Sequence, residues 1–253
     1  MKTLIACELK KLKGRYFYIM LLACAVIQLF WSFYGHSTPD TLKHGWMLNL
    51  YQLPLVNAIF LPFVCTIAAS RLCDTEHKGV MLKQLCTIAP KGKIYDAKLF
   101  FGTAVISFFV LFDWIATIAV GKCKGFAGSV PMGLYLRYLL FTLIPAIEIY
   151  IVQHTLALCF KNQAVGFFVG IIGEFIGVFA LFLPSVPLLR QLLPWGHFAA
   201  LDFVGMYGWT QETRMKNIWF EIIEIEPAFI AALTAAIIIL YFIGRNLFVR
   251  KEL

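Results

Sequence analysis

Long apolar runs are the feature that most constrains the fold of this 253-residue chain. A helix needs about 20 apolar residues to cross the ~30 Å hydrocarbon core of a bilayer. Runs of about that length occur at 16–35, 49–69, 99–120, 134–160, 163–183 and 227–248. They are continuously apolar, whereas the strands of a membrane barrel alternate over about ten residues. The sequence therefore predicts an all-α membrane protein with six transmembrane helices in a single domain, residues 1–253.

The distribution of lysine and arginine predicts how these helices are oriented. If the N-terminus is cytoplasmic, fifteen of the 22 Lys and Arg residues fall on the cytoplasmic side, as the positive-inside rule requires. The sequence therefore predicts a multi-pass protein of the cell membrane with both termini in the cytoplasm. The net charge of +8 then reflects topology and gives no reason to expect a nucleic-acid partner.

The first 15 residues have the pattern of a helix lying on an anionic inner leaflet. Their lysines lie away from one apolar helical face, which is made of Leu4, Ile5, Leu9 and Leu12. A disordered basic tail is the alternative interpretation.

A strongly charged insert, RLCDTEHKGVMLKQLCTIAPKGKIYDAK at residues 71–98, separates the second and third apolar runs. Asp74 or Thr75 can cap a helix N-terminus, and Pro90 would end that helix. One face would carry Met81, Leu82, Leu85 and Ile88, and the opposite face Glu76, Lys83 and Thr87. The pattern predicts an amphipathic helix over about 74–88, followed by a turn at PKGK. Such a helix lies on anionic lipid or is a lever docked into a cytoplasmic partner.

The region from about 184 to 226 is predicted to lie at the outer surface. Its first part is too apolar for a free loop and is broken by Pro184, Pro187, Pro194 and Gly196. This composition predicts short helices that dip into the outer leaflet. The remainder, TQETRMKNIWFEIIEIEP, mixes acidic and apolar residues and is predicted to form a surface helix that leads into the sixth span.

The common catalytic motifs are absent from the sequence. There is no phosphate-binding loop of the G-x-x-x-x-G-K-[ST] type, no H-E-x-x-H and no G-x-S-x-G. The spacing of the seven cysteines matches no zinc site. The chain is therefore predicted to be non-catalytic, without a metal or cofactor of its own, and any ATP that drives it is hydrolysed by a partner.

Three carboxylates lie within the apolar runs: Asp113, Glu148 and Glu174. An ionisable group at that depth is costly and usually faces the bundle interior or a hydrated cavity, and no Lys or Arg lies at a matching depth. These residues line a substrate pathway or a rearranging helix interface, or they simply hydrogen-bond to Ser, Thr or Tyr of neighbouring helices. His154 is expected to make a structural hydrogen bond. An intramembrane enzyme and a proton-coupled secondary transporter using these acids remain alternatives.

Glycines line one face of the fifth apolar run, at Gly166, Gly170, Gly173 and Gly177. This spacing contains two G-x-x-x-G pairs, which allow a second helix to approach closely. Glu174 follows Gly173 and is therefore expected at the edge of that helix contact.

Several short motifs resemble those of one transporter superfamily. Glu76, Gly79, Pro90, Tyr95 and Lys98, with the basic residues among them, resemble the segment between spans two and three of type-2 ABC exporter permeases. Within that superfamily, the chain length, the six spans and LLPWGHF after span five are similar to permeases of lantibiotic-immunity and bacitracin-resistance transporters.

The resemblance implies a permease subunit of a bacterial ATP-driven exporter. Two ABC ATPase subunits would bind ATP and Mg, and the second permease would be identical or related. The N-terminal helix would be the interfacial helix of these exporters, and the broken outer stretch their re-entrant helices. Residues 74–88 would be the coupling helix, with contacts from Asp74, Glu76, Gly79, Met81, Lys83 and Leu85; Gly79 departs from an ideal coupling helix. The implied substrate is an antimicrobial peptide or another amphiphile taken from the membrane.

Overall fold

The computed structural model of the protein describes residues 8–11, 16–77 and 81–252. The helices are α1 (Phe17–Ser32), α2 (Pro39–Lys43), α3 (Gly45–His77), α4 (Met81–Ile88), α5 (Lys91–Cys123), α6 (Met132–Cys159), α7 (Ala164–Phe182), α8 (Pro187–Gln191), α9 (His197–Ala200) and α10 (Pro227–Arg250), with a 3-10 turn at Pro194–Gly196. Two strands, β1 (Val204–Tyr207) and β2 (Trp219–Ile222), form an antiparallel ribbon. Residues 8–11 are also helical.

Five of these helices, α3, α5, α6, α7 and α10, are long and apolar enough to cross a membrane. The predicted helical membrane fold is therefore confirmed in outline, with the small ribbon as an addition. The first predicted span corresponds to α1, which has 16 residues in the described part of the chain. Six spans therefore remain a prediction.

Helix α3 occupies the centre of the bundle and packs against α1, α5, α6 and α7. Its apolar segment is 67% buried, whereas that of α10, which packs on α5 and α6 at the periphery, is 11% buried. Pro54 and Pro62 lie inside α3. Burial on every side explains why α3 is apolar around its whole circumference.

The two ends of the bundle differ in composition and in structure. The basic end contains residues 8–11, the segment around α4 and the C-terminal end of α10. The strand end contains α2, the loop between α5 and α6, and residues 183–226 with the ribbon.

The predicted surface helix over TQETRMKNIWFEIIEIEP is wrong. Residues 211–217 form turns and Trp219–Ile222 is strand β2, paired with β1 in the register Val204↔Ile222 and Tyr207↔Trp219. Bulky aromatic and β-branched residues favour a strand, and β1 satisfies the backbone groups of β2. The short helices predicted just before this region are present as α8, the 3-10 turn and α9.

The boundaries of the charged insert also differ from the prediction. Helix α3 continues through Asp74 to His77, so Asp74 does not cap a new helix. The insert helix α4 begins at Met81. The predicted PKGK turn is also wrong, because α5 begins at Lys91 with Pro90 as its N-cap, where a missing N–H costs nothing.

Candidate functional site

Four charged side chains meet at the basic end of the bundle. Lys11 Nζ lies 2.8 Å from Glu8 Oε1 and 2.6 Å from Glu76 Oε1. Lys98 Nζ lies 3.0 Å from Glu8 Oε2 and 2.9 Å from Glu76 Oε1, and it also donates to the carbonyl of Leu72 at 2.8 Å. We call Glu8, Lys11, Glu76 and Lys98 the ionic cluster. It joins residues 8–11, the end of α3 and the first turns of α5.

The ionic cluster is largely buried, and its two positive charges balance its two negative charges. The side chains of Glu76 and Lys98 are 1% and 2% exposed. Burial alone raises the pKa of the Glu76 carboxyl, but the charges of Lys98 and Lys11 and their hydrogen bonds outweigh burial and leave that pKa below its usual value. Burial likewise lowers the pKa of Lys11, and its bonds to Glu76 and Glu8 more than compensate. Glu76 and Lys11 are therefore both charged at neutral pH.

The residues predicted to contact an ATPase lie in different environments. Glu76 belongs to the ionic cluster and does not face outward beside Lys83, so its predicted position on the polar face of α4 is wrong. Met81 is 42% exposed, Lys83 is exposed and Leu85 is half-buried. Asp74 is half-buried within α3. Gly79 lies outside the described residues.

Helix α4 presents an exposed apolar edge at the basic end. Ile88 is 83% exposed and Leu82 is buried, so the four predicted apolar residues do not share one buried face. A cavity of about 210 Å³ separates α4 from the ionic cluster, and its lining includes Met81, Leu85 and Ala97. Helix α4 is thus a short amphipathic element with both charge and apolar surface available to a partner.

Asp113 lies in a buried network of neutral polar groups within the bundle. Gln28 Nε2 donates to Asp113 Oδ2 and to Asn57 Oδ1, each at 3.0 Å. Asn57 Nδ2 in turn donates to the Tyr138 hydroxyl at 2.8 Å and to Thr142 Oγ1 at 3.2 Å. The network connects α1, α3, α5 and α6. Asp113 is thus hydrogen-bonded to another helix, but its partner there is Gln28 and not the Ser, Thr or Tyr predicted above.

Glu148 is paired with His197, a residue that the sequence reasoning missed. Glu148 Oε2 lies 2.5 Å from His197 Nδ1, and His197 Nε2 lies 3.2 Å from the carbonyl of Gln191. Both side chains are buried. No Lys or Arg lies at a matching depth, and the composition of the spans does not identify a histidine from the segment between α7 and β1. An unpaired membrane carboxylate and a histidine in an apolar stretch were the available signals.

The glycine face of α7 packs against the segment that contains His197, which runs from α8 to α9. All four glycines of this face are buried. A Cβ at Gly173 would overlap the Trp195 indole, and one at Gly177 would crowd the Trp195 carbonyl, while Gly170 faces Thr66 of α3. The seam therefore accommodates both a helix and a tryptophan. Glu174 beside it is half-buried.

His154 is a further buried polar residue of the interior. It stacks on Tyr150 and has its Nδ1 4.0 Å from Cys73 Sγ. Across the described residues, no group of three or more His, Cys, Asp and Glu side chains is placed to hold a metal ion.

Long apolar helices tied together by buried polar contacts define a multi-pass helical membrane protein. A sequence model of the family described as ABC-2 family transporter protein matches residues 4–179, more than two thirds of the chain. The chain belongs to this family and is a permease of an ABC transporter. Membership implies a partnership with ABC ATPase subunits. A search of curated proteins found no match.

Proposed function

We propose that this chain is the non-catalytic permease of an ATP-driven exporter and that α4 receives the motion of its ATPase. The observation that carries the proposal is the exposed amphipathic helix α4 at the basic end, held between two 33-residue helices. An ATPase that binds α4 acts on the ends of α3 and α5, which reach the opposite end of the bundle.

The assembly proposed for this exporter follows from the family. Two ATPase subunits bind ATP and Mg, and two permeases, identical or related, form the membrane pathway. The basic end faces the cytoplasm of a bacterial cell with both termini, because lysine and arginine concentrate there. Residues 1–253 act as one permease domain with six spans, α1 being the first.

The proposed substrate is an antimicrobial peptide or another amphiphile, as in lantibiotic-immunity and bacitracin-resistance transporters. An apolar groove of about 470 Å³ runs between α1 and α5, with Leu22, Phe101 and Phe108 among its lining residues. Amphiphiles partition into lipid before they reach a transporter, so a groove at the lipid boundary suits them better than water-soluble solutes. Asp113, Glu148 and Glu174 then offer polar contacts deeper in the bundle.

The segment from α8 to α9 is proposed to be re-entrant. Glu148 is 16 residues from the first residue of α6 at the strand end, or about 24 Å at 1.5 Å per residue. The side chain of its partner His197 therefore lies well inside the bundle, far from that end of α6. Pairing with a mid-helix carboxylate supports insertion of this segment into the outer half of the membrane.

Co-purification tests the proposed role of α4. Tagged protein extracted from native membranes is expected to retain an ABC ATPase, identified by mass spectrometry. Met81→Glu should reduce that retention, since it places a carboxylate on the exposed apolar edge of α4. The matched control is Met132→Glu, at a methionine that is 50% exposed at the strand end. Equal retention of the ATPase by both variants would contradict the assignment of α4 as the ATPase contact. Transport driven by a pH gradient in a preparation free of ATPase would contradict it as well.

Thiol labelling tests the orientation independently. Cys123 is exposed at the strand end and Cys86 lies on α4. An impermeant maleimide applied to intact cells should label Cys123 and spare Cys86, and labelling of Cys86 alone would reverse the proposed topology.

A further inference from the structure

The two charges that frame the insert in sequence are in direct contact in the structure. Glu76 lies one residue before the end of α3, and Lys98 is the eighth residue of α5. The whole of α4 lies between them in the chain, yet Lys98 Nζ is 2.9 Å from Glu76 Oε1. The pair therefore closes a loop in which α4 is the only complete helix among the residues described between them.

Residues 8–11, which precede the insert in the chain, add two more charged side chains to this contact. One carboxylate oxygen of Glu8 contacts Lys98 and the other contacts Lys11, and Lys11 also contacts Glu76. Each cation thus contacts both carboxylates. Removing any one residue leaves an uncompensated charge in a buried site, which is strongly unfavourable.

A cavity separates α4 from the ionic cluster, while Leu82 of α4 packs in the hydrophobic core. The covalent connections are short: three residues, 78–80, join α3 to α4, and two residues, 89 and 90, join α4 to α5. A force on α4 therefore reaches the ends of α3 and α5 through the chain, and the ionic cluster determines whether those ends separate or move together.

We propose that the ionic cluster is a joint that makes residues 8–11, the end of α3 and the start of α5 move as one unit with α4. This inference rests on the proposed function of α4 and adds the N-terminal segment to the part of the permease that responds to ATP. The four residues are positioning residues: they contact neither substrate nor nucleotide and transmit displacement between elements.

Distance measurements between spin labels test the joint. Labels at Lys10→Cys and Ile88→Cys, both on exposed residues, report the N-terminal segment relative to α4. A second pair, Ile88→Cys with native Cys123, reports the distance from α4 to the strand end. In each labelled protein, every cysteine outside the labelled pair is replaced by serine. The complex with its co-purified ATPase is measured without nucleotide and with Mg, ATP and vanadate. The expected result is a nucleotide-dependent shift for the second pair and an unchanged distribution for the first.

The variant Glu8→Gln/Lys11→Met removes one charge of each sign and leaves the Glu76–Lys98 pair balanced. In this variant the distance between residues 10 and 88 should shift or broaden with nucleotide, because the N-terminal segment no longer follows α4. The inference is overturned if that distance changes as much in the unaltered protein. Loss of the ATPase during purification would instead contradict the proposed function.

A second variant separates transmission from folding. Glu76→Gln/Lys98→Met also keeps the charge balanced, so we expect protein yield and ATPase retention to stay at the unaltered level while the nucleotide-dependent shift between residues 88 and 123 is lost. If that shift is fully retained, the cluster is only a structural tie and the joint is disproved. A Lys98→Arg variant should keep the shift, since it preserves the charge.

Discussion

The ionic cluster and the Asp113 network bury carboxylates in the same bundle with opposite chemistry. At the basic end, Glu8 and Glu76 each contact two lysines. In the interior, Asp113 accepts from the amide of Gln28, and Asn57 extends the network through neutral groups only. Full charges are far less costly near helix ends than at the bilayer centre. The basic end is therefore held by contacts between opposite charges, while the Asp113 network relies on hydrogen bonds with uncharged partners.

The largest effect should come from breaking the ionic cluster on one side. Lys98→Met leaves Glu8 and Glu76 with a single cation, and loss of one member of a buried ion pair costs about 3–5 kcal/mol. Thermal unfolding of the solubilised protein should show a lower midpoint. Lys83→Met, at an exposed lysine of α4, is the control and should change little. The double variant with Glu76→Gln should recover most of the loss; equal destabilisation by both single lysine variants would mean that the cluster is not buried in solution.

Crowding the glycine seam should have the next largest effect. Gly173→Ala places a methyl group against the Trp195 indole, and overpacking of this kind costs about 1–3 kcal/mol. Gly133→Ala is the matched control, because nothing lies near its Cβ position. The two variants are compared by unfolding midpoint and by protease sensitivity of the segment from α8 to α9. Equal behaviour would show that Trp195 does not occupy the seam.

Neutralising Asp113 should have a smaller effect than any single change in the cluster. Asp113→Asn keeps an oxygen that accepts from Gln28, so we expect a change in the free energy of unfolding of at most about 1 kcal/mol. Asp113→Leu leaves the buried Gln28 donor with one partner fewer and should cost more, about 1–3 kcal/mol. A loss for Asp113→Asn as large as that for Lys98→Met would erase the contrast between the two regions.

The last prediction concerns a carboxylate outside both regions. Burial raises the pKa of Asp202 to about 6, although the Val204 N–H and the charge of Arg190 act in the opposite direction. The folded protein therefore holds this proton more tightly than the unfolded chain, whose aspartates have a pKa near about 3.9. Stability from Asp202 is greatest below about pH 4 and is lost as the pH rises to about 6.

The Asp202→Asn variant isolates that contribution, because its amide does not titrate. As the pH falls from about 6 to 4, the unfolding midpoint of the unaltered protein should rise relative to that of the variant. Parallel curves over this window would contradict the assignment. Glu76 behaves in the opposite sense, because its lowered pKa makes its contribution disappear only at acidic pH.

The sequence predicted the elements of the bundle better than the contacts between them. Apolar length alone located the long helices, because lipid leaves a continuous apolar helix few alternatives. The end of α3 was misplaced because residues 74–77 have capping and charged side chains that are typical of a loop, whereas the buried bonds of Glu76 stabilise the helix there. Strand β2 was misread because its pairing partner, β1, is a separate segment that periodicity does not identify.

The candidate sites show the same limit. Glu76 and Lys98 were singled out by a motif, but a linear pattern does not indicate that they touch or that Glu8 joins them. The glycine spacing of α7 predicted a close approach, and Trp195 is one of the groups that approach. The pairing of Glu148 with His197 depends on how a loop folds back into the bundle, which neither composition nor spacing determines.

The unequal lengths of the helices have a consequence for the surrounding lipid. Helices α3 and α5 have 33 residues each, or about 50 Å, whereas α7 has 19, or about 28 Å. The charged ends of α3 and α5 protrude from the ~30 Å hydrocarbon core, whereas the whole of α7 is only about as long as that core is thick. Reconstitution in lipids of increasing acyl-chain length should therefore strain α7 first. Membrane thickness becomes a physical variable that acts on the helix carrying Glu174 and the contact with Trp195.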